Sequence, residues 1–322
     1  MLRVAFVGAT PGSLAERVRR HLATECELLL TDENGAAGVL PEVDVLVTFV
    51  FTREMAAAAR RLKLIQVPGA GLDRIDLAAV PSGSRVANVY GHDNGIAEYV
   101  LGVMLALGRG FCRMDAAMRE GRWEGSWVVS APPRLELAGK TLGLLGYGRI
   151  GGRLSQFAQA LGMEVWALRR GAWTTEPAGP AFRGGPDDLD KVLERADYLV
   201  IALPLTPETR GLLGARQLWL MKPTAFLINV ARAEIVDEAA LYEALREGTI
   251  AGAALDVWYQ YPKGSGPAYP SRFDFHRIPN VLMTPHVSAW TEETQEGRAK
   301  LMAGNIDRVA RGEPPLNLVP TS

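Results

Sequence analysis

Short apolar runs alternate along the chain with longer segments whose apolar residues recur every three or four positions. This is the pattern of an α/β fold built on mainly parallel sheets. "LRVAFVG", "CELLLT", "VDVLVTFVF" and "LKLIQVP" give four predicted strands in the first 70 residues, and "KTLGLLG", "MEVWALR", "ADYLVIAL", "AFLINVA" and "AGAALDVW" give a second series. Two series predict two doubly wound parallel sheets and two domains. The segment "NGIAEYVLGVMLALGRGF" from Asn94 is apolar nearly all round, so a helix buried on every side is expected at the boundary between them. "TPHVSAWTEETQEGRAKLMAGNIDRVARG" predicts a further helix that Thr291 can cap, and the tail "EPPLNLVPTS" is too short to fold alone. A discontinuous first domain is therefore expected, residues 1–95 with 287–322, with a second domain, 96–286, inserted into it.

Composition narrows the function classes. At 322 residues and 48% hydrophobic, the chain can bury two cores. A net charge of −1 gives no general attraction to nucleic acid or to an anionic membrane. The run "YVLGVMLALG" is too short to span a bilayer, and the amino terminus reads as a strand rather than a signal peptide. Cys26 and Cys112 do not form a metal-ligand spacing, so no metal site is expected. They read as two reduced core thiols, in keeping with a cytoplasmic protein.

The chemistry begins at "TLGLLGYGRIGGRL", where Gly146, Gly148 and Gly151 form a G-x-G-x-x-G pattern between a strand and an amphipathic helix. Gly146 suits the tight turn, Gly148 a close approach of backbone to pyrophosphate, and Gly151 the packing of helix on strand. Free N–H groups at the helix start, from Arg149 and Ile150, would face the phosphates. In such folds the next strand usually ends in an acid that holds the ribose of NAD. Here "MEVWALRR" ends in Arg169 and Arg170. A guanidinium binds a 2′-phosphate that a carboxylate would repel, so NADP is the expected cofactor, with NAD the alternative.

Four further segments, taken in order with this pattern, resemble the D-isomer-specific 2-hydroxyacid dehydrogenases. "VPGAGLDRIDLAAV" resembles the family's substrate loop, which implies that backbone N–H groups of Ala70, Gly71 and Leu72 hold the substrate carboxylate. "LPLTPETRGLLGARQLWLMKPTAFLINVARAEIVDEAAL" resembles its longest signature. By that resemblance Leu203, Pro204 and Thr209 border the cofactor, and Val230 and Ala231 lie near the nicotinamide. Arg232 binds the substrate's carboxylate and keto oxygen, a role that suits its permanent charge and paired donors. Ala233 stands where a glycine is common. "AGAALDVW" supplies Asp256, whose family counterpart contacts the nicotinamide carboxamide, and "LMTPHVSAW" supplies His286, matching the catalytic histidine. An ordinary pKa near 6.5 lets a histidine give or take a proton near neutral pH. The other three histidines, His21, His92 and His276, match no motif; His21 and His276 are expected at the surface, and His92 near the domain crossover.

The family's fold implies a flavodoxin-like substrate domain and a Rossmann cofactor domain with a cleft between them. The expected function is hydride transfer between NADP(H) and C2 of a small 2-keto or 2-hydroxy acid of the glyoxylate or hydroxypyruvate type. The segment "MDAAMREGRWEGSW" is expected to build a homodimer. One departure stands out. Where the family has a glutamate paired with the histidine, "ALDVWYQYP" places Tyr261 before Pro262. That loss keeps two alternatives open: a formate-type oxidation of a non-alcohol substrate, and a non-catalytic nucleotide-sensing protein on the same fold. The aromatic run "WYQYP" and Trp290 are expected either to close over the substrate or to fill an interface.

Overall fold

A computed structural model describes residues 1–173, 179–262 and 266–320. The chain divides into two compact units, Met1–Gly91 with Thr291–Ser322, and His92–Trp290. The first unit opens with β1 (Leu2–Val7), α1 (Ala9–His21), β2 (Cys26–Thr31), α2 (Ala36–Val39), β3 (Val45–Thr48), α3 (Arg53–Ala58), β4 (Leu64–Gln66) and β5 (Arg85–Ala87). The second runs through α4 (Asp93–Arg109), α5 (Phe111–Arg119), β6 (Thr141–Leu145), α6 (Arg149–Ala160), β7 (Glu164–Leu168), β8 (Phe182–Gly184) and α7 (Leu189–Arg195). It continues with β9 (Tyr198–Ile201), α8 (Ala215–Leu220), β10 (Phe226–Asn229), α9 (Glu238–Arg246), β11 (Gly252–Leu255) and β12 (Val281–Met283). The chain then rejoins the first unit as α10 (Glu292–Ala310) and β13 (Leu318–Val319). The division falls at 91 and 291 rather than at 95 and 287, because α4 already starts at Asp93 and Thr291 is the N-cap of α10.

The first unit's sheet has the order β13-β5-β4-β3-β1-β2, parallel except for β13, which pairs antiparallel with β5. The second unit's sheet is parallel throughout, in the order β12-β11-β10-β9-β6-β7-β8. Strands covered on both faces are apolar at consecutive positions rather than at alternate ones. In β1, Val4 and Phe6 pack with Leu14 and Val18 of α1 and with Met302 and Ile306 of α10, while Ala5 and Val7 pack on the opposite face with Leu46 and Ile65. The second sheet is divided in the same way: Leu142, Leu144 and Val200 face α4 and α6, and Leu145, Leu199 and Ile201 face α7, α8 and α9.

Two expectations need correction. Helix α4 packs against α6, but Glu98, Gly102, Leu105 and Arg109 form an exposed stripe four, three and four residues apart, so it is not buried on every side. The free thiols are likewise not both in a core: Cys26 is half-buried and Cys112 is exposed on α5. No single helix among the described residues is long and apolar enough to cross a membrane.

Buried polar groups tie α10 into the first unit. Asn305 donates to the Gln66 side chain at 2.7 Å and to the Leu316 carbonyl at 3.2 Å, and accepts the Leu316 N–H at 2.7 Å. Asp307 accepts the N–H groups of Ala23 and Thr24. Arg298 is different. It is 8% exposed, its Nε is enclosed, and no partner holds it among the described residues. Desolvation lowers its pKa to about 10, so its charge is disfavoured by folding at every pH below that value. Arg298→Met should therefore raise stability at pH 7 by on the order of 1–3 kcal/mol. Thermal unfolding of the two proteins checks this; an unchanged or lowered midpoint would show that the guanidinium is compensated.

Candidate active site

Every group that the sequence nominates in the second unit follows the carboxyl end of a strand. β6 runs into Gly146, whose φ of 105° lies in the left-handed region, and a Cβ there would stand 2.6 Å from the Ala202 carbonyl oxygen and 2.9 Å from the nitrogen of Leu203. Only glycine fits so close to the end of β9. A Cβ on Gly151 would collide with the Gly146 carbonyl oxygen, so α6 is pressed onto the turn, whereas Gly148 faces open space. Helix α6 has no side-chain cap and no acid in its first turn. Its leading N–H groups, with Arg149 and Ile150 in the first turn, suit a phosphate. Arg169 follows β7 directly and is half-buried, with Arg170 exposed beside it. No carboxylate forms an ion pair with either among the described residues.

Past β9, Leu203 and Pro204 enter a turn that Thr209 holds. Its hydroxyl donates to the Pro204 carbonyl at 2.7 Å and accepts the Thr206 N–H at 2.8 Å. Past β10, the side chain of buried Asn229 shapes the next turn by accepting the Ala231 N–H at 3.0 Å and donating to the Arg232 carbonyl at 2.9 Å. Val230 is buried there, and the Arg232 guanidinium donates back to the Ala231 carbonyl at 2.8 Å. Asp237 caps α9 through the Ala240 N–H, which makes it a structural acid.

The densest bonding lies between the ends of β11 and β12. Asp256 is 0% exposed. Its Oδ1 accepts the Thr284 hydroxyl at 2.6 Å and the Val287 N–H at 2.8 Å, and its Oδ2 accepts the Ser288 N–H at 2.9 Å. Two successive N–H groups can converge on one carboxylate because His286, just before them, has a φ of 59°. Left-handed backbone is costly for a side chain of this kind, and the buried anion holds it there. Thr284 is fixed in turn by the Tyr99 hydroxyl at 2.6 Å, and its carbonyl by the Trp258 indole N–H at 2.8 Å. The resemblance assigns Asp256 to the carboxamide; its oxygens here hold the histidine's turn.

His286 itself is exposed, and its Nδ1 lies 2.8 Å from the Tyr261 hydroxyl, which also accepts the Trp258 N–H at 3.4 Å. Burial raises the Tyr261 pKa above the ordinary value, and the positive charge of Arg232 acts on the phenol in the opposite direction. The phenol is thus neutral at neutral pH, with Arg232 in its electrostatic range. Of the aromatic run, Tyr261 reaches His286. Trp258 packs in the core near Phe275, and Tyr259 donates to the Val236 carbonyl at 2.9 Å. Trp290 is half-exposed, with its N–H on the Val287 carbonyl.

The other histidines stand elsewhere. His21 bonds Glu296 at 2.7 Å, His276 stacks on Tyr269, and His92 precedes α4. In the first unit, the half-buried turn Ala70–Gly71–Leu72 is held by Asn88, which donates to the Ala70 carbonyl at 3.2 Å, and by Val89, which donates to the Gly69 carbonyl at 3.1 Å. Asn88, Asn229, Thr284 and Tyr99 were not singled out from the sequence. The one signal was a polar residue closing an apolar strand, as in "FLIN" and "RVAN".

Known proteins resemble the chain along most of its length. The family model described as D-isomer specific 2-hydroxyacid dehydrogenase, NAD binding domain, matches residues 101–288. Glyoxylate reductase of Thermococcus litoralis is 37% identical over 287 residues, covering 86% of this chain and 84% of that one. D-3-phosphoglycerate dehydrogenase of Methanocaldococcus jannaschii is 37% identical over 288 residues; these cover 87% of this chain but only 52% of that longer protein. The structure of an NADPH-dependent glyoxylate/hydroxypyruvate reductase from Sinorhizobium meliloti, in complex with NADP and malonate, matches with a TM-score of 0.82 at 27% identity, covering 99% of this chain and 97% of that one. These likenesses define a nicotinamide-dependent oxidoreductase. Within that class, the chain belongs to the D-isomer specific 2-hydroxyacid dehydrogenase family and acts on the CH–OH group of 2-hydroxy acids.

The geometry gives Asp256 a testable role. Asp256→Asn keeps the size but turns an NH2 group toward backbone donors. Loss of charge-assisted bonds in this turn should cost about 2–3 kcal/mol of stability and more than tenfold in turnover. Unfolding curves and steady-state kinetics would measure both; a variant with wild-type values would mean that the turn does not depend on the carboxylate.

Proposed function

We propose that the protein reduces small 2-keto acids of the glyoxylate or hydroxypyruvate type with NADPH, and oxidises the corresponding D-2-hydroxy acids in reverse. The observation that carries this proposal is the Tyr261–His286 hydrogen bond set beside the charge of Arg232. The relatives named glyoxylate reductase and glyoxylate/hydroxypyruvate reductase support the substrate class. The nicotinamide, when bound, supplies or accepts the hydride at C2. The uncapped start of α6 would hold its pyrophosphate, and Arg169 its 2′-phosphate.

The residues of the chain do the rest. The backbone N–H groups of Ala70, Gly71 and Leu72 are assigned to the substrate carboxylate. Arg232 is assigned to orient the acid and polarise its carbonyl, and His286 to give the oxygen its proton in reduction and remove it in oxidation. The Tyr261 hydroxyl serves both states of the imidazole. It accepts from Nδ1–H when the ring is charged, and the same contact remains when Nε2 alone must act as base. A hydride donor without an alcohol proton, such as formate, would make no use of this pair. Asp256 acts through the turn that holds His286.

Phe111, Met118, Trp123 and Val128 are exposed and Trp127 is 87% exposed, so residues 111–129 carry several large apolar side chains at the surface. A second copy of the chain is the proposed partner, burying these aromatics at a two-fold interface. A dimer mass by light scattering at micromolar concentration is expected, and a monomer mass would overturn the assignment.

The proton-transfer assignment is tested by pH. Reduction requires the imidazolium, so its rate falls as pH rises through the histidine's pKa. A carboxylate beside the ring favours the charged form and raises that pKa, whereas a neutral phenol cannot. Tyr261→Glu should therefore carry the descending limb of kcat/KM for reduction to higher pH. Profiles measured in both proteins, with NADPH and NADH in parallel, decide it. Superimposable limbs would show that residue 261 does not tune His286, and absence of turnover with every 2-keto acid would leave a nucleotide-binding protein without catalysis.

A further inference from the structure

Arg169 does not stand alone at the end of β7. Leu168, the last residue of that strand, is paired with Gly184 at the end of β8, and the next N–H, that of Arg169, donates to the Gly184 carbonyl at 3.2 Å. The chain turns at Gly171 and brings Trp173 back to the same point: its indole N–H donates to the same carbonyl, also at 3.2 Å. The Arg169 guanidinium lies over that indole, 5.6 Å from the ring centroid. This is within the range at which a cation is drawn to an aromatic face. Beneath the guanidinium, a Cβ on Gly171 would stand 3.5 Å from its Nη2, so the turn itself also lies against the charge. The indole further touches Tyr147, the residue between Gly146 and Gly148, at a ring separation of 5.0 Å.

We infer that Trp173 is the positioning residue of the 2′-phosphate clamp: it fixes Arg169 against the glycine turn and so sets the preference for a 2′-phosphorylated dinucleotide. The inference rests on the proposed use of NADP(H). A free arginine side chain loses much rotamer freedom when it grips a phosphate, and a guanidinium already laid on an indole loses less. Among the described residues, Arg170 has no such support. It is exposed, and its charge acts on the Glu208 carboxyl, lowering the pKa there alongside larger hydrogen-bond effects. Arg169 is the member of the pair held in place.

The test separates the aromatic face from the N–H tether. Trp173→Phe keeps a ring under the guanidinium and loses the donor to Gly184. Trp173→Gln keeps a donor and loses the ring, with Trp173→Leu as its substitute should the glutamine variant fail to fold. Calorimetric titration with 2′,5′-ADP and with 5′-ADP gives an affinity ratio for each full-length protein, beside Arg169→Ala. The wild type should favour 2′,5′-ADP, and Arg169→Ala should abolish the ratio. Trp173→Gln should lower it about three- to fivefold through 2′,5′-ADP alone, and Trp173→Phe should stay within about twofold of wild type. If Arg169→Ala collapses the ratio but Trp173→Gln leaves it unchanged, or weakens both ligands equally, Trp173 is only packing and the inference is overturned while the NADP(H) assignment stands. If Arg169→Ala leaves the ratio unchanged, that assignment fails and the inference falls with it.

Discussion

Parallel strand pairing is the constraint on which the site depends. In the second unit every strand runs the same way, so all strand ends open on one edge of the sheet. That edge receives Gly146 after β6, Arg169 after β7, Leu203 after β9, Arg232 after β10, Asp256 after β11 and His286 shortly after β12. Residues scattered over 140 positions of sequence thereby share a rim without any long loop having to carry them. The neighbour order matters as well. β10, β11 and β12 are adjacent, which puts the ends bearing Arg232, Asp256 and His286 side by side, while β6 and β7 present the glycine turn and Arg169 together.

Within that rim, one buried carboxylate converts strand ends into a fixed geometry. Asp256 takes three donors from the stretch Thr284–Ser288, and those bonds maintain a backbone conformation that His286 would not choose by itself. An enclosed anion without such donors would be strongly unfavourable, so the carboxylate and the turn require each other. Tyr99 extends the linkage through Thr284 into α4, and burial pushes its own pKa up to about 12, which keeps that hydroxyl a neutral hydrogen-bonding group across the physiological range.

What could be read from the sequence was whatever local chemistry imposes. The glycine spacing at 146, 148 and 151 was legible because sterics at two of those positions exclude a side chain, and Thr291 was legible as a cap because a cap is a contact within one turn. Of the strands of three residues or fewer, β4 was legible because it sits in the longer apolar run "LKLIQVP", whereas β5, β8, β12 and β13 leave too little period to detect. The left-handed turn at His286 has no local signature, since its cause, Asp256, lies 30 residues upstream. The same holds for Asn88, whose side chain bonds the Ala70 carbonyl 18 residues upstream. The exposed stripe on α4 was missed because composition records apolarity around a helix but not which neighbours are there to cover it.

The return of α10 to the first unit bears on the order in which the molecule can be made. The second unit is contiguous in sequence, so its sheet is complete once residue 290 has been synthesised. The first unit, although it begins at Met1, still lacks Ala299, Met302, Ala303 and Ile306 from one of its two cores at that moment, and Gln66 still lacks Asn305. Domains emerging from the ribosome generally fold amino-terminal part first. Here the vectorial order is inverted: the older part of the first unit must wait, with one sheet face covered by α1 but not yet by α10, until residues 299–306 arrive to close it.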